Sequence, residues 1–241
     1  MIGIVVVSHS PRLAEAAVEL ALEMVGGAPP PIAIAAGAGP GVIGTDATKV
    51  ASAIDEVDSP DGVLVFMDLG SAVLSATMAL EFIAHRPSVR LSDAPFVEGI
   101  IAGVVLAAAG AGIDEVEREA RGALDAKRSQ LGIEPSHLVQ ASGLAAAATG
   151  PSAEVVLVNP DGLHSRPAAA VVTAVSAFDA EVTVENLSNG KGPVPARSLM
   201  GIMSLGAKEG DTVRFSASGG EADRVITKLT AMATDGFGEL G

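Results

Sequence analysis

The chain has 241 residues, enough for one or two domains of ordinary size, and 49% of them are hydrophobic. Rings make up only 2%, with no Trp, Tyr or Cys, so the cores must be built from Val, Ile, Leu, Ala and Met. A net charge of -14 opposes the DNA phosphate backbone, and few rings remain for base stacking, so nucleic acid is not an expected partner. The lack of Cys excludes disulfides, thiolate nucleophiles and Cys-based zinc sites.

In chain order, Ile2–Val7 is an apolar strand with no basic region before it, unlike a signal peptide. Helical spacing over Arg12–Met24 is followed by a strand at Ile32–Ala36 and a helix at Asp46–Val57. A third strand, Val63–Phe66, precedes a helix near Ala72–Ala84 and a short strand at Val89–Leu91. Helices near Phe96–Ala109 and Ile113–Arg128 complete this part. Apolar strands alternating with helices predict an α/β fold: an open, mostly parallel sheet with helices on both faces. The uncharged run from Gly99 to Ile113 is too short to span a bilayer, so no membrane association is expected and a soluble cytoplasmic protein is.

Residues 134–152 are rich in Ala, Ser and Gly and read as a linker, with an Ala-rich helix as the alternative. The expected domains are therefore 1–133 and 153–241, and neither carries net positive charge. The second shows strand patterns at Glu154–Val158, Glu181–Val184 and Thr212–Ser216. Helical patterns fall at Pro167–Phe178, Arg197–Leu205 and Ala222–Ala233, and Asn189-Gly190 is a turn signal. This is an α+β pattern.

Asn159-Pro160-Asp161-Gly162-Leu163-His164-Ser165-Arg166-Pro167 carries the strongest chemical signal. His164 stands between a loop and a helix that has Pro167 in its first turn. A helix start attracts anions, Arg166 can hydrogen-bond phosphate oxygens, and an imidazole is a competent covalent nucleophile. Read from these residues alone, a helix-capping histidine remains the alternative. His9 closes the first strand, and Asp68 follows the third on the same sheet edge, where open α/β sheets place their sites. A carboxylate beside an imidazole can fix its tautomer, and Ser71 can cap the next helix. A structural histidine is the alternative there.

Gly39 to Gly44 matches G-x-G-x-x-G in form, but it follows the second strand, contains Pro40 and lacks a placed ribose-binding acid. A loop that lets backbone approach a phosphohistidine, involving Gly41, Gly44 and Thr45, is the more economical reading. Thr45 reads as a helix N-cap. His85 and His137 lack a comparable setting, and no metal cluster is evident.

Gly162-Leu163-His164-Ser165-Arg166-Pro167-Ala168 resembles the active-site motif of HPr, the histidine phosphocarrier of the bacterial phosphotransferase system. A second HPr-like segment runs from Ala196-Arg197-Ser198-Leu199-Met200 to Gly206. The resemblance covers 153–241 and implies an open-faced α+β sandwich. It also implies that His164 accepts phosphate from phosphoenolpyruvate by way of enzyme I, steadied by Arg166. Ser198 aligns with a serine that is regulatory in some members, and its alternative role is a helix N-cap.

Val7-Ser8-His9-Ser10, Gly41-Val42-Ile43-Gly44-Thr45 and Met67-Asp68-Leu69-Gly70-Ser71-Ala72-Val73-Leu74-Ser75 resemble the phosphotransferase subunits of bacterial dihydroxyacetone kinases. The first domain of that family looks like the mannose-type enzyme IIA. The resemblance implies transfer from His164 to His9 and on to ADP held in the DhaL subunit, which works with DhaK. It further implies a homodimer through the N-terminal domain, with phosphoryl groups carried covalently and no tightly bound cofactor. Enzyme I, absent from this chain, is expected to act in trans. The rival readings are a IIA–HPr fusion for a mannose- or fructose-type sugar system, a non-catalytic regulator and a nucleotide-binding module.

Overall fold

The computed structural model describes residues 1–83, 88–133 and 150–239. His85, His137 and most of the expected linker lie outside the described residues. Two compact units emerge, Met1–Ala123 and Leu124–Gly241.

In the first unit, β1 (Gly3–Ser8), β2 (Ile32–Ala36), β3 (Val63–Met67) and β4 (Val89–Leu91) form one parallel sheet in the order β2-β1-β3-β4. Side chains alternate across it. Val5, Val7, Val63, Val65 and Met67 face one layer, built from α2 (Ala47–Glu56) and α3 (Ser71–Phe82). Phe66 faces the other, which includes α4 (Phe96–Ala108). A Cβ added at Gly103 would stand 2.7 Å from the Phe66 ring, so the missing side chain lets this helix approach the sheet. Helix α1 (Pro11–Leu22) packs on α4 and so shares that side, as does α5 (Ile113–Arg121). The expected doubly covered parallel sheet is therefore present. The order places β2 on one flank of β1 and β3 on the other. That reversal leaves a crevice at the carboxyl ends of β1 and β3, where ligands of such sheets bind.

The helix expected over Ile113–Arg128 is broken. It ends at Arg121, with Gly122 as its cap, and restarts as α6 (Leu124–Gln130). Helix α6 packs against α8 (Leu199–Ser204), and Ser129 Oγ donates to the Ser204 carbonyl at 3.3 Å. The boundary between compact units thus falls at 123/124, before the expected end of the first domain at 133. Long-range packing, which helical spacing does not encode, assigns α6 to the second unit.

The second unit contains an antiparallel sheet in the order β5-β8-β6-β7. Its strands are β5 (Ser152–Val156), β6 (Glu181–Asn186), β7 (Lys191–Pro195) and β8 (Thr212–Ser218). Val182 and Val184 of β6 and Val213, Phe215 and Ala217 of β8 are buried, and their neighbours along each strand are more exposed. One face is therefore covered, by α7 (Ser165–Ser176), α8 and α9 (Ala222–Thr234), as in an open-faced sandwich. Strand β7 escaped the sequence reading because Lys191-Gly192-Pro193-Val194-Pro195 looks like loop. As an edge strand it pairs, among the described residues, with β6 alone, so its prolines need not donate to a second neighbour. Ser152, assigned to the linker, already belongs to β5.

Candidate phosphoryl-transfer sites

The first site forms because Val7 of β1 pairs with Met67 of β3, bringing the next residues of both strands to one edge. Asp68 then acts as a hub. Its Oδ2 accepts from the His9 backbone N–H at 2.8 Å and from Ser8 Oγ at 2.9 Å. Its Oδ1 lies 2.9 Å from His9 Nδ1 and accepts from the Leu69 N–H at 2.6 Å. Burial pushes the Asp68 carboxyl up, but the hydrogen bonds from His9, Leu69 and Ser8 outweigh it and hold the group below the usual carboxylate range. With Nδ1–H donated to this carboxylate, the lone pair of the neutral ring sits on Nε2.

Nε2 of His9 lies 2.7 Å from Ser71 Oγ, at the start of α3. The chain reaches that point through Gly70, whose φ of 51° favours a residue without Cβ. Ser71 is not the helix cap expected of it. It is the first helical residue, and its hydroxyl is turned to the imidazole and to Thr45 Oγ1 at 3.1 Å. Thr45 is likewise not an N-cap. Asp46 caps α2, its carboxyl accepting from the hydroxyl and the N–H of Thr48. Thr45 Oγ1 is drawn instead to Ser71 and to Ser75 Oγ at 2.8 Å.

Gly44 donates its N–H to the His9 carbonyl at 3.0 Å and so fixes the backbone of that residue. Gly41 has a different job. Its φ of 73° shapes the turn in which the Val42 N–H reaches the Gly39 carbonyl. No described contact joins Gly41 to the imidazole. Val42, Ile43, Leu69, Val73 and Leu74, on the two segments that carry Gly44 and Ser71, are exposed apolar residues.

The second site sits where β5 and its following loop lead into α7. His164 occupies the N-cap position of that helix, with Pro167 in the first turn, but its side chain makes no capping bond. The capping alternative is thereby removed, and the ring is turned elsewhere: Nε2 lies 2.7 Å from Glu239 Oε1. Glu239 Oε2 accepts from the buried Asn159 at 3.0 Å, and Asn159 also donates to the Gly162 carbonyl at 2.6 Å. Arg166 is exposed in the first turn of α7, two residues beyond His164. Ser198 caps α8, its Oγ accepting from the Gly201 N–H at 2.8 Å. The imidazoles of His9 and His164 are 26% and 32% exposed, so neither is sealed in an apolar interior.

Sequence reasoning missed the roles of Ser8, Ser75, Asn159 and Glu239. Ser8, Ser75 and Asn159 lay within recognised motifs without an assigned partner. Glu239 carried no local signal, since its contact spans 75 residues. Among the described residues no group of His, Asp or Glu could hold a metal ion, and no helix is long and apolar enough to cross a membrane.

Both units match known families. Residues 3–117 match the PTS system fructose IIA component, and residues 151–235 match the PTS HPr component phosphorylation site. In chain order a region similar to the PTS IIA component is followed by one similar to the PTS HPr component phosphorylation site. Over almost its whole length it is also similar to curated DhaM proteins. It is 43% identical over 247 residues to the phosphoryl donor subunit DhaM of the PEP-dependent dihydroxyacetone kinase of Klebsiella michiganensis. It is 44% identical over 245 residues to the DhaM of Escherichia coli. Each alignment covers 99% of this chain and 51% of the relative, so the chain spans about half the length of these curated relatives. A multiphosphoryl transfer protein of Salmonella typhimurium is 39% identical over 88 residues, covering 36% of this chain and 23% of that one.

Proposed function

We propose that this chain is a phosphohistidine relay that supplies phosphoryl groups for dihydroxyacetone phosphorylation. Phosphoenolpyruvate charges enzyme I, which passes the group to His164. His164 passes it to His9, and His9 delivers it to ADP held in a DhaL subunit working with DhaK. The chain acts in the cytoplasm as a phosphotransferase subunit, with a homodimer formed through the N-terminal unit.

One observation carries this reading. Two partly exposed imidazoles stand at helix starts, each with one ring nitrogen held by a carboxylate. Such a contact keeps a proton on the held nitrogen and leaves the opposite one nucleophilic. The reacting atoms are therefore Nε2 of His9 and Nδ1 of His164. At His9 the start of α3 and the hydroxyls of Ser71 and Thr45 receive the phosphoryl oxygens. At His164 the start of α7 and Arg166 do so. Phosphoryl transfer needs in-line positioning and charge stabilisation above all, and these groups supply both. The exposed apolar side chains of Val42, Ile43, Leu69, Val73 and Leu74, on the segments that carry Gly44 and Ser71, support docking of protein partners at His9.

The test supplies enzyme I and phosphoenolpyruvate to wild type, His9→Ala and His164→Ala chains. Two acid-labile phosphates are expected on wild type, one on His9→Ala and none on His164→Ala unless a separate HPr is added. Phosphate on neither histidine of wild type overturns the relay. Draining the label with DhaL–ADP in one sample and a sugar-system IIB domain in another separates dihydroxyacetone phosphorylation from sugar transport.

A further inference from the structure

The carboxylate on His164 comes from the far end of the second unit, and the backbone that delivers it is unusual. After α9 the chain turns through Gly236, Phe237 and Gly238 with φ values of 63°, 56° and 81°. Three consecutive left-handed residues reverse the chain sharply. The central one is not glycine, so this turn carries backbone strain that surrounding contacts must hold in place. Glu239 comes directly after the turn, and both its oxygens are used. Oε1 meets His164 Nε2 at 2.7 Å, and Oε2 is pinned by the buried Asn159 at 3.0 Å. Asn159 is in turn bonded to Gly162, in the loop that carries His164. The carboxylate is therefore oriented from behind, as the carboxylate partner of a histidine is when it sets the ring's tautomer and direction.

We infer that Glu239 is a positioning residue for phosphoryl transfer through His164, holding the Nε2 proton so that Nδ1 attacks and later leaves as part of a neutral imidazole. The inference rests on the relay proposed above and adds a residue to it. In the accepting step the donor's bond to phosphorus breaks, its electron pair returns to the donor, and the Nδ1–P bond forms. The ring keeps its Nε2 proton and becomes cationic, and the Glu239 carboxylate offsets that charge. In the donating step the Nδ1–P bond breaks and its electron pair returns to Nδ1. Because the proton is still on Nε2, the leaving group is imidazole and not the far more basic imidazolate. Arg166 and the start of α7 act on the phosphoryl oxygens. Glu239 acts only on the ring.

The experiment uses the full chain in a His9→Ala background, so that label from enzyme I and phosphoenolpyruvate collects on His164 alone. Glu239→Ala is expected to lower the transfer rate at saturating enzyme I by roughly 10-fold with little change in half-saturation, the size of effect typical of a histidine's supporting carboxylate. Glu239→Gln keeps an oxygen that can accept from Nε2–H and should recover most of that loss. Ring 15N spectra of the neutral His164 should place the proton on Nε2 in the parent and show a mixed population in Glu239→Ala. Glu239→Ala with unchanged rate and unchanged ring spectrum overturns the inference. Failure of the parent to take phosphate while its ring spectrum responds to Glu239→Ala overturns the relay instead.

Discussion

The two histidines are held by the same kind of partner in opposite ways. Asp68 approaches His9 from the neighbouring strand, meets Nδ1 and is itself gripped by two backbone amides and Ser8. Glu239 approaches His164 from beyond the last helix, meets Nε2 and has one anchor among the described residues, Asn159. The first carboxylate is 5% exposed and the second 22%. A site built into adjacent sheet strands thus carries a rigid, densely bonded hub, whereas a site at a loop–helix junction borrows its carboxylate through a strained turn. The proposed proton-holding task is thus embedded in the hydrogen bonding of the sheet edge in one unit and rests on a single side-chain anchor among the described residues in the other.

The largest effect that would break this comparison is expected from Asp68→Asn. An amide there presents an N–H to donors that need an acceptor, so Ser8 Oγ and the amides of His9 and Leu69 lose part of their bonding. Phosphorylation of His9 should fall by about 10⁴-fold, as when the carboxylate partner of a catalytic histidine becomes an amide, and the first unit should lose about 1.5–3 kcal/mol, the value of a hydrogen bond to a charged group. Quench-flow labelling and chemical denaturation read the two effects. If stability is unchanged while transfer collapses, Asp68 is no structural hub and the contrast with Glu239 fails.

Acid sharpens the same point. The folded chain holds Asp68 below its ordinary value, so as pH falls the unfolded state takes up the proton first. The stability this group contributes is complete above about pH 4–5 and disappears as pH falls through its lowered folded value. Melting curves of the first unit against pH should show this acid limb, and Asp68→Asn should flatten it.

Smaller effects are expected further from the rings. Thr45→Val removes a hydroxyl that holds Ser71 and Ser75. Transfer to His9 should fall roughly 5- to 10-fold, as for one ordinary hydrogen bond of about 1 kcal/mol, with His164 labelling unaffected. The smallest contrast is between helix caps. Ser198→Ala removes a 2.8 Å capping bond and should cost local stability of α8 about 1 kcal/mol. Ser10→Ala removes one of 3.4 Å at α1 and should cost less. Hydrogen exchange of the amides in each first turn distinguishes the two.

Much of this architecture is legible locally. The apolar runs at Ile2–Val7 and Val63–Phe66, alternating with helical spacing, announce a covered parallel sheet because burial on both faces removes every polar position. Gly162 through Ala168 sets His164 between a loop and a helix start with Arg166 close by, the setting the proposed nucleophile needs. Ser71 and Thr45 read as caps because a hydroxyl near a helix start usually serves as one. Here Gly70 and Asp46 occupy the cap positions, which frees both hydroxyls for the imidazole and for each other. Strand β7 is hidden because edge strands tolerate the prolines that central strands exclude.

The sequence by itself pointed to an α/β unit followed by an α+β unit, to a histidine beside a helix in each, and to an Asp68 on the sheet edge of His9. These come from periodicity, from turn residues and from neighbours within one strand or one helical turn. Tertiary structure alone decided that α6 belongs with the second unit, that Ser71 faces the ring and that Glu239 holds His164. It also decided that the two rings are held by opposite nitrogens. The physical reason is range. Helix and strand patterns are written over a few residues, but a hydrogen bond between side chains 59 or 75 positions apart exists only once the sheet and the final turn have brought them within 3 Å.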